Sequence, residues 1–465
     1  MTLRGLLSIA IVGAATTGFM VAGASVRGAG GDEAAPRGVQ MLDNGVIRLG
    51  IDLDRGGAIT HLAPSGTGAE ANLVNNFDRG RQVQMSFYSG PVPYVVGDKR
   101  PAKHWEHLGW NPIQAGDDFG HGGRIVEFRV NAMQGEAYVR CVPLQWPLDD
   151  VPAECEFESW VRLVGSTAEC RARPTNRRTD RTWYAARHQE LPAVYVNGPY
   201  HRLFTYAGPA PFTGGALEQI PTSEGRGFPW KHVTATENWC ALVRDDGFGL
   251  GVIHPGCYEF ACGFSGPTGR GGTLDAPTGY IAPVRREILD HDATYEYRYV
   301  LVVGTLAEIR EQAQRHAPRE PQRPEYRFEH DRRHWTLTNA RDSGPPRDGA
   351  WDVTYTADDP HLTGPVDFWQ AADAPTLYVR AGFRQSSDLA RLYWRSHGAA
   401  GYSEACAVDF AVRPDGVVRT YEIDLARHPE YRGAIIGLRL DPTPKAEPEA
   451  GLRLLRIGAT PEADP

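Results

Sequence analysis

Residues 44–57 read NGVIRLGIDLDRGG. Successive side chains of a strand point to opposite faces. Ile47, Leu49, Ile51 and Leu53 therefore share one face, and Val46, Arg48, Gly50 and Asp52 the other. This pattern predicts a strand buried on one side and closed by a Gly56-Gly57 turn. Similar short runs recur along the chain: EAYVRCVPLQW from Glu136, CEFESWVRLVG from Cys155, WCALVRDDGFGLGVI from Trp239 and YEYRYVLVVG from Tyr295. The predicted fold class is all-β.

The 465 residues exceed one ordinary core, so two domains of unequal size are expected. Apolar residues make up 41% and charged residues 23%, a globular composition. A net charge of −8 leaves no basic surplus to neutralise phosphates, which argues against a nucleic-acid partner. Arg4 precedes an apolar stretch from Leu6 to Val21, and Ala22-Gly23-Ala24 has the small residues of a cleavage site. Residues 1–24 read as a secretory signal peptide, predicting a secreted protein with no membrane attachment after cleavage. Residues 25–38 read as a flexible leader. Export would permit disulfides among the seven cysteines, with Cys257 and Cys262 close enough for a local bridge. Burial as small hydrophobes is the alternative, and the spacings fit no zinc pattern.

One helix is well marked. Thr305 and Glu308 form a capping box, Leu306, Ile309, Ala313 and Ala317 recur on one face, and Pro318 ends the run. The Pro-rich, charged segment 318–326 reads as a linker. It separates a large domain, 39–317, from a smaller β-sandwich, 327–460. Gly247-Phe248-Gly249-Leu250-Gly251 follows an Asp-Gly turn between apolar runs and reads as a hairpin, not a nucleotide loop. No nucleophile-elbow or HExxH motif is present. Asp290-His291-Asp292 reads as a solvated turn before a strand.

The stretch GVIRLGIDLDRGGAITHL (45–62) resembles the first strands of galactose-mutarotase-like β-supersandwich domains, and the likeness extends loosely over residues 40–315. It implies a large, curved, mostly antiparallel sandwich. The segments NLVNNFDRGRQVQMSFYSGP (72–91), GWNPIQAGD (109–117), QELPAVY (189–195), ATENW (235–239) and PTGYIAP (277–283) look like those of secreted bacterial proteins with this architecture. The epimerase pair of histidines with a late catalytic Glu has no clear counterpart, so the resemblance does not carry mutarotation. RTYEIDLARHPEYRGAIIGLRLDP (419–442) is similar to the closing strands of galactose-binding-like jelly rolls, modules that often accompany carbohydrate-active enzymes.

A sugar site combines planar aromatics with carboxylates, amides, Arg and His. Arg81, Gln84 and Tyr88 supply such groups in one segment, and Trp110, Asn111, Gln114 and Asp117 in a long loop. Arg187, His188, Gln189 and Glu190 stand in an unbroken row, and Trp230, His232, Glu237 and Trp239 follow. On a strand His188 and Glu190 share a face, with Arg187 and Gln189 behind. Glycosidic hydrolysis needs two carboxyl groups, one protonated and one ionised. Glu190 is the first candidate, Asp117 or Glu237 the second, and His188 an alternative acid or base. Arg81, Gln84, Tyr88, Trp110, Asn111, Gln114, Arg187, Trp230 and Trp239 are the candidate saccharide contacts. Each has a structural alternative: a buried ion pair at 187–190, an Asx turn at Asp117, core packing for the tryptophans. A glycoside hydrolase is the leading expectation, with a non-catalytic glycan-binding protein or a polysaccharide lyase as alternatives. No cofactor or catalytic metal is expected; a structural calcium in the C-terminal sandwich stays open, with no recognisable ligand loop. The partner expected is a carbohydrate, and oligomeric state is left open.

Overall fold

The computed structural model describes residues 24–27, 37–222 and 230–461. The signal peptide predicted over residues 1–24 lies outside them up to residue 23. Ile47, Leu49, Ile51 and Leu53 are all buried, as their alternation requires. They belong to one core formed between two large antiparallel sheets. The Gly56-Gly57 turn is obligatory: both residues have positive φ, and a Cβ would stand 2.0 Å from the Gln114 carbonyl oxygen at Gly56 and 2.4 Å from Val139 at Gly57.

The first sheet has ten strands. Its centre pairs Cys155–Val164 with Thr167–Asn176, and the latter with Tyr297–Thr305. Ala24–Arg27 joins its edge beside Arg124–Asn131, so part of the expected leader is a paired strand. The helix Leu306–Arg315, closed by the Thr305–Glu308 capping box, packs Ile309 and Ala313 on the outer face of this sheet.

The second sheet runs in the order Lys231–Thr234, Glu259–Ser265, Thr278–Glu287, Arg187–Asn197, Val83–Ser86, Ala58–Pro64, Ile47–Asp52, Val39–Asp43. Val83, Met85, Val194, Val196, Phe260, Cys262 and Ile281 point inward to the shared core. The other face carries a separate apolar strip of Ala193, Ala261, Tyr280, Ala282 and Val284, with Tyr195 and Trp230 against it. All seven cysteines are free thiols, and all but Cys406 are buried, so burial and not bridging accounts for them.

From Glu325 onward two smaller sheets form a second sandwich with its own core. That core extends across the junction to Trp183, Ala186 and Ile288 of the large domain. Arg332 is the polar centre of the contact. It donates to Asp342 from Nε (2.6 Å) and to Asp290 from NH1 (2.5 Å), and all three side chains are nearly sealed. Trp183 and Trp351 add indole N–H donors to Asp342. The Asp290-His291-Asp292 reading is thereby corrected: Asp290 is no solvated turn residue but half of a buried interdomain ion pair, because Arg332 arrives from the other domain. His334 of the small sandwich also donates to Glu287 of the large sheet.

Removing the guanidinium would leave two buried carboxylates uncompensated. Arg332→Met is expected to cost about 3–5 kcal/mol, read by urea denaturation; a change below 1 kcal/mol would show that the junction does not depend on this charge.

Candidate functional site

The Arg187–Asn197 strand places its polar row on two faces. Gln189 is fully buried and clasps the Tyr88 backbone, donating to its carbonyl and accepting from its N–H, both at 2.8 Å. Arg187 is half-buried behind the strand and donates to the carbonyl oxygens of Leu108 (2.8 Å) and His107 (3.0 Å). His188 and Glu190 point to the outer face, the side bearing Tyr280 and Val284. Glu190 lies directly opposite Val284, and His188 opposite Arg286.

Across the Thr278–Glu287 strand, Phe260 pairs with Pro283, which puts Glu259 on the far flank of Val284. Glu190 and Glu259 thus stand on either side of one residue, their backbones about two strand spacings apart, ~9.5 Å. His232, on the next strand, bonds Glu259 through Nδ1 at 2.8 Å, and His188 Nε2 lies 3.8 Å from the same oxygen. The two imidazoles begin three strands apart, ~14 Å on a flat sheet. Their ring centroids are nevertheless 4.9 Å apart. The sheet must curl toward this face and both side chains lean inward. Trp230 lies on Gly263, where a Cβ would meet its ring at 2.9 Å, and stacks on Tyr280 at 4.7 Å. Tyr195 closes on Tyr280 from the other side, also at 4.7 Å.

The surroundings move the two carboxyl groups in opposite directions. Burial pushes Glu190 above the ordinary carboxylate range, and hydrogen bonds from Tyr280, Ser86 and Tyr88 offset this only in part. Burial also opposes ionisation of Glu259, but the His232 hydrogen bond and the nearby His188 and Arg395 outweigh it and hold that carboxyl low. Burial lowers His188, against the pull of Glu259. Arg395 belongs to the C-terminal sandwich. It lines, with His188, Glu259 and Arg286, a cavity of about 280 Å³ between the domains.

The other expected site residues serve the fold. Asp117 is buried in its turn, accepting backbone N–H groups of Phe119, His121 and Asp150 and bonding the His121 ring. Glu237 is fully enclosed and accepts from Arg310, Trp239 and the Phe212 N–H. Neither shares the face of Glu190, so both are corrected as catalytic partners. Trp110 packs in the main core and Trp239 under the helix. Gln84, Asn111 and Gln114 are buried amides bonded to backbone: Gln84 to Arg79 and Ala115, Asn111 to Phe87, Gln114 to Met85 and Gly56. Arg81 pairs with Asp78 and donates to the Ala276 carbonyl. These six, with Arg187, are corrected as saccharide contacts: burial or backbone bonding occupies them. Tyr88 and Trp230 remain at the site. Glu259, Tyr280, Arg286 and Arg395 join it unforeseen. The signal for Glu259 is its alternation with Ala261 and Gly263, readable only once the register with Thr278–Glu287 is known.

The ligand atoms of His188, His232 and Glu259 lie within 4.8 Å of one another, a spacing that a divalent cation would bridge. The His232–Glu259 hydrogen bond accounts for the same convergence. Among the described residues, neither ring's second nitrogen meets the carboxylate or carbonyl that ordinarily orients a metal-binding histidine. Asp117, His121 and Asp149 form another such group, with Asp117 already committed to backbone donors.

The fold and site define a two-sandwich β protein with an acid- and imidazole-bearing hollow on its larger sheet. No family model and no curated relative matches the chain. Solved structures similar to part of it include a Synechocystis protein (9% identity, 58% of this chain and 97% of that one, TM-score 0.33). A putative aldose 1-epimerase from Klebsiella pneumoniae is another (11% identity, 58% and 80%, TM-score 0.33). So is a low-affinity xylan-binding module from Roseburia intestinalis (11% identity, 30% and 97%, TM-score 0.22). These likenesses are coarse, and the chemistry of the hollow rests on its own residues.

Glu237→Gln, which leaves Arg310 facing a neutral amide, is expected to lower stability by roughly 3 kcal/mol in chemical denaturation. A change below about 1 kcal/mol would show that the fold does not depend on this charge.

Proposed function

We propose that the protein is a carbohydrate-active enzyme, a glycoside hydrolase whose acid is Glu190 and whose base is Glu259. One observation carries this reading: two carboxyl groups flank Val284 on a hollow, aromatic-lined face, and their surroundings drive their proton affinities apart. Pairs of titratable groups separated in this way mark acid and base assignments. Glu190, whose hold on its proton burial strengthens, would give that proton to the glycosidic oxygen as the bond to the anomeric carbon breaks. Glu259, whose ionised form its imidazole neighbours favour, would take a proton from the water attacking that carbon. Trp230, backed by Tyr280, and Tyr195 offer planar surface to the apolar face of a sugar ring.

Activity requires Glu190 with its proton and Glu259 without one. It should fall as pH drops through the depressed Glu259 value and as pH rises through the elevated Glu190 value. The profile of kcat/KM is therefore expected to be a bell straddling the ordinary carboxylate pKa of about 4.3. Tyr280→Phe removes a donor that favours ionised Glu190, so the alkaline limb should move to higher pH; an unmoved limb would reject Glu190 as the acid. Glu190→Gln and Glu259→Gln should each reduce turnover about 10²–10⁴-fold with glycan affinity nearly intact, measured by product chromatography on a polysaccharide panel. Retained turnover in both variants would overturn the pair, binding without turnover in the wild type would establish a glycan-binding protein, and unsaturated, ultraviolet-absorbing product would establish a lyase. Chelation by EDTA should leave turnover unchanged.

A further inference from the structure

The cavity at the domain junction holds more positive charge than the acid–base pair uses. Arg286 is exposed on the sheet beside His188, and among the described residues its side chain has no hydrogen bond or ion pair. Arg395 enters from the opposite wall, on the small sandwich, and its buried Nε has no hydrogen-bond partner. Arg285 also lines the cavity but is occupied, donating to the Gly256 carbonyl. The single carboxylate lining the cavity, Glu259, is bonded to His232. Arg286 and Arg395 both line a space of about 280 Å³ next to the proposed reaction centre. In a chain whose net charge is −8, arginines gathered on one cavity are not a general property of the surface.

We propose that this cavity receives an anionic substituent of the saccharide, a uronate carboxylate or a sulfate ester, held between Arg286 and Arg395. The guanidinium fork matches the paired oxygens of either group, and such charge-assisted bonds are stronger than neutral ones. The substrate class is then an acidic polysaccharide. The small sandwich completes the specificity pocket of the large one instead of standing apart as a separate module. This inference rests on the hydrolase reading for the position of the sugar, but not for the pocket itself.

The test is calorimetric titration of the full chain with three probes of equal length: a hexagalacturonate, a sulfated galactan hexasaccharide and a neutral xylohexaose. At least one acidic probe is expected to bind tenfold or more tightly than the neutral one, and which one does so names the anion. Arg286→Gln and Arg395→Gln should each erase most of that preference. Arg286→Lys should restore part of it. Equal affinity for all three probes in the wild type, or an unchanged preference in folded Arg286→Gln and Arg395→Gln proteins, would overturn the proposal. Reducing-end assays on the same probes separate the two readings. Acidic probes bound but never cleaved would leave the pocket standing and remove the hydrolase; neutral probes bound equally and cleaved would do the reverse.

Discussion

The arrangement depends on Arg332. Its guanidinium is shared between Asp342 of its own sandwich and Asp290 of the large domain, with all three groups withdrawn from water. Buried charges in such a cluster hold only when each is matched. The cluster therefore admits one relative placement of the two sandwiches. Apolar packing of Trp183, Ala186 and Ile288 into the second core reinforces the same placement. Arg395 reaches the surroundings of Glu259 across that same junction, so the contact that joins the sandwiches also bears on the electrostatics of the hollow.

Within the hollow, one strand separates two carboxyl groups that the fold treats differently. Glu190 stands among phenols in a place that disfavours charge, whereas Glu259 stands among imidazoles and a guanidinium that favour it. Val284, between them, belongs to an apolar strip that helps keep water from screening the contrast. The strip itself follows from alternation. Ala193, Ala261 and Ala282 are small, and Gly263 has no side chain, so the Trp230 ring can lie against the sheet and stack on Tyr280.

Much of the fold was legible in local pattern. Period-two alternation at 47–53, the Gly56-Gly57 turn and the capping box at 305–308 all act within a few residues, and each takes its expected form. The two faces of 187–190 could be assigned for the same reason. The partner of Glu190 could not, because Glu259 reaches it through the register of two further strand pairings. Asp117 and Glu237 misled because carboxylates that satisfy backbone N–H groups or a buried Arg resemble reactive ones in sequence. The amides Gln84, Asn111 and Gln114 misled likewise: their hydrogen-bond capacity serves loop backbone enclosed in the core.

The sheet order has a further consequence for how the molecule comes into being. The Arg187–Asn197 strand lies between Val83–Ser86 and Thr278–Glu287. Its hollow cannot exist until the ribosome has passed the second of these, and Arg395 arrives later still. Such long-range pairings are slow to form. During synthesis the emerging chain would carry open strand edges until residue 287 has emerged, and the hollow would be complete only once Arg395 has followed.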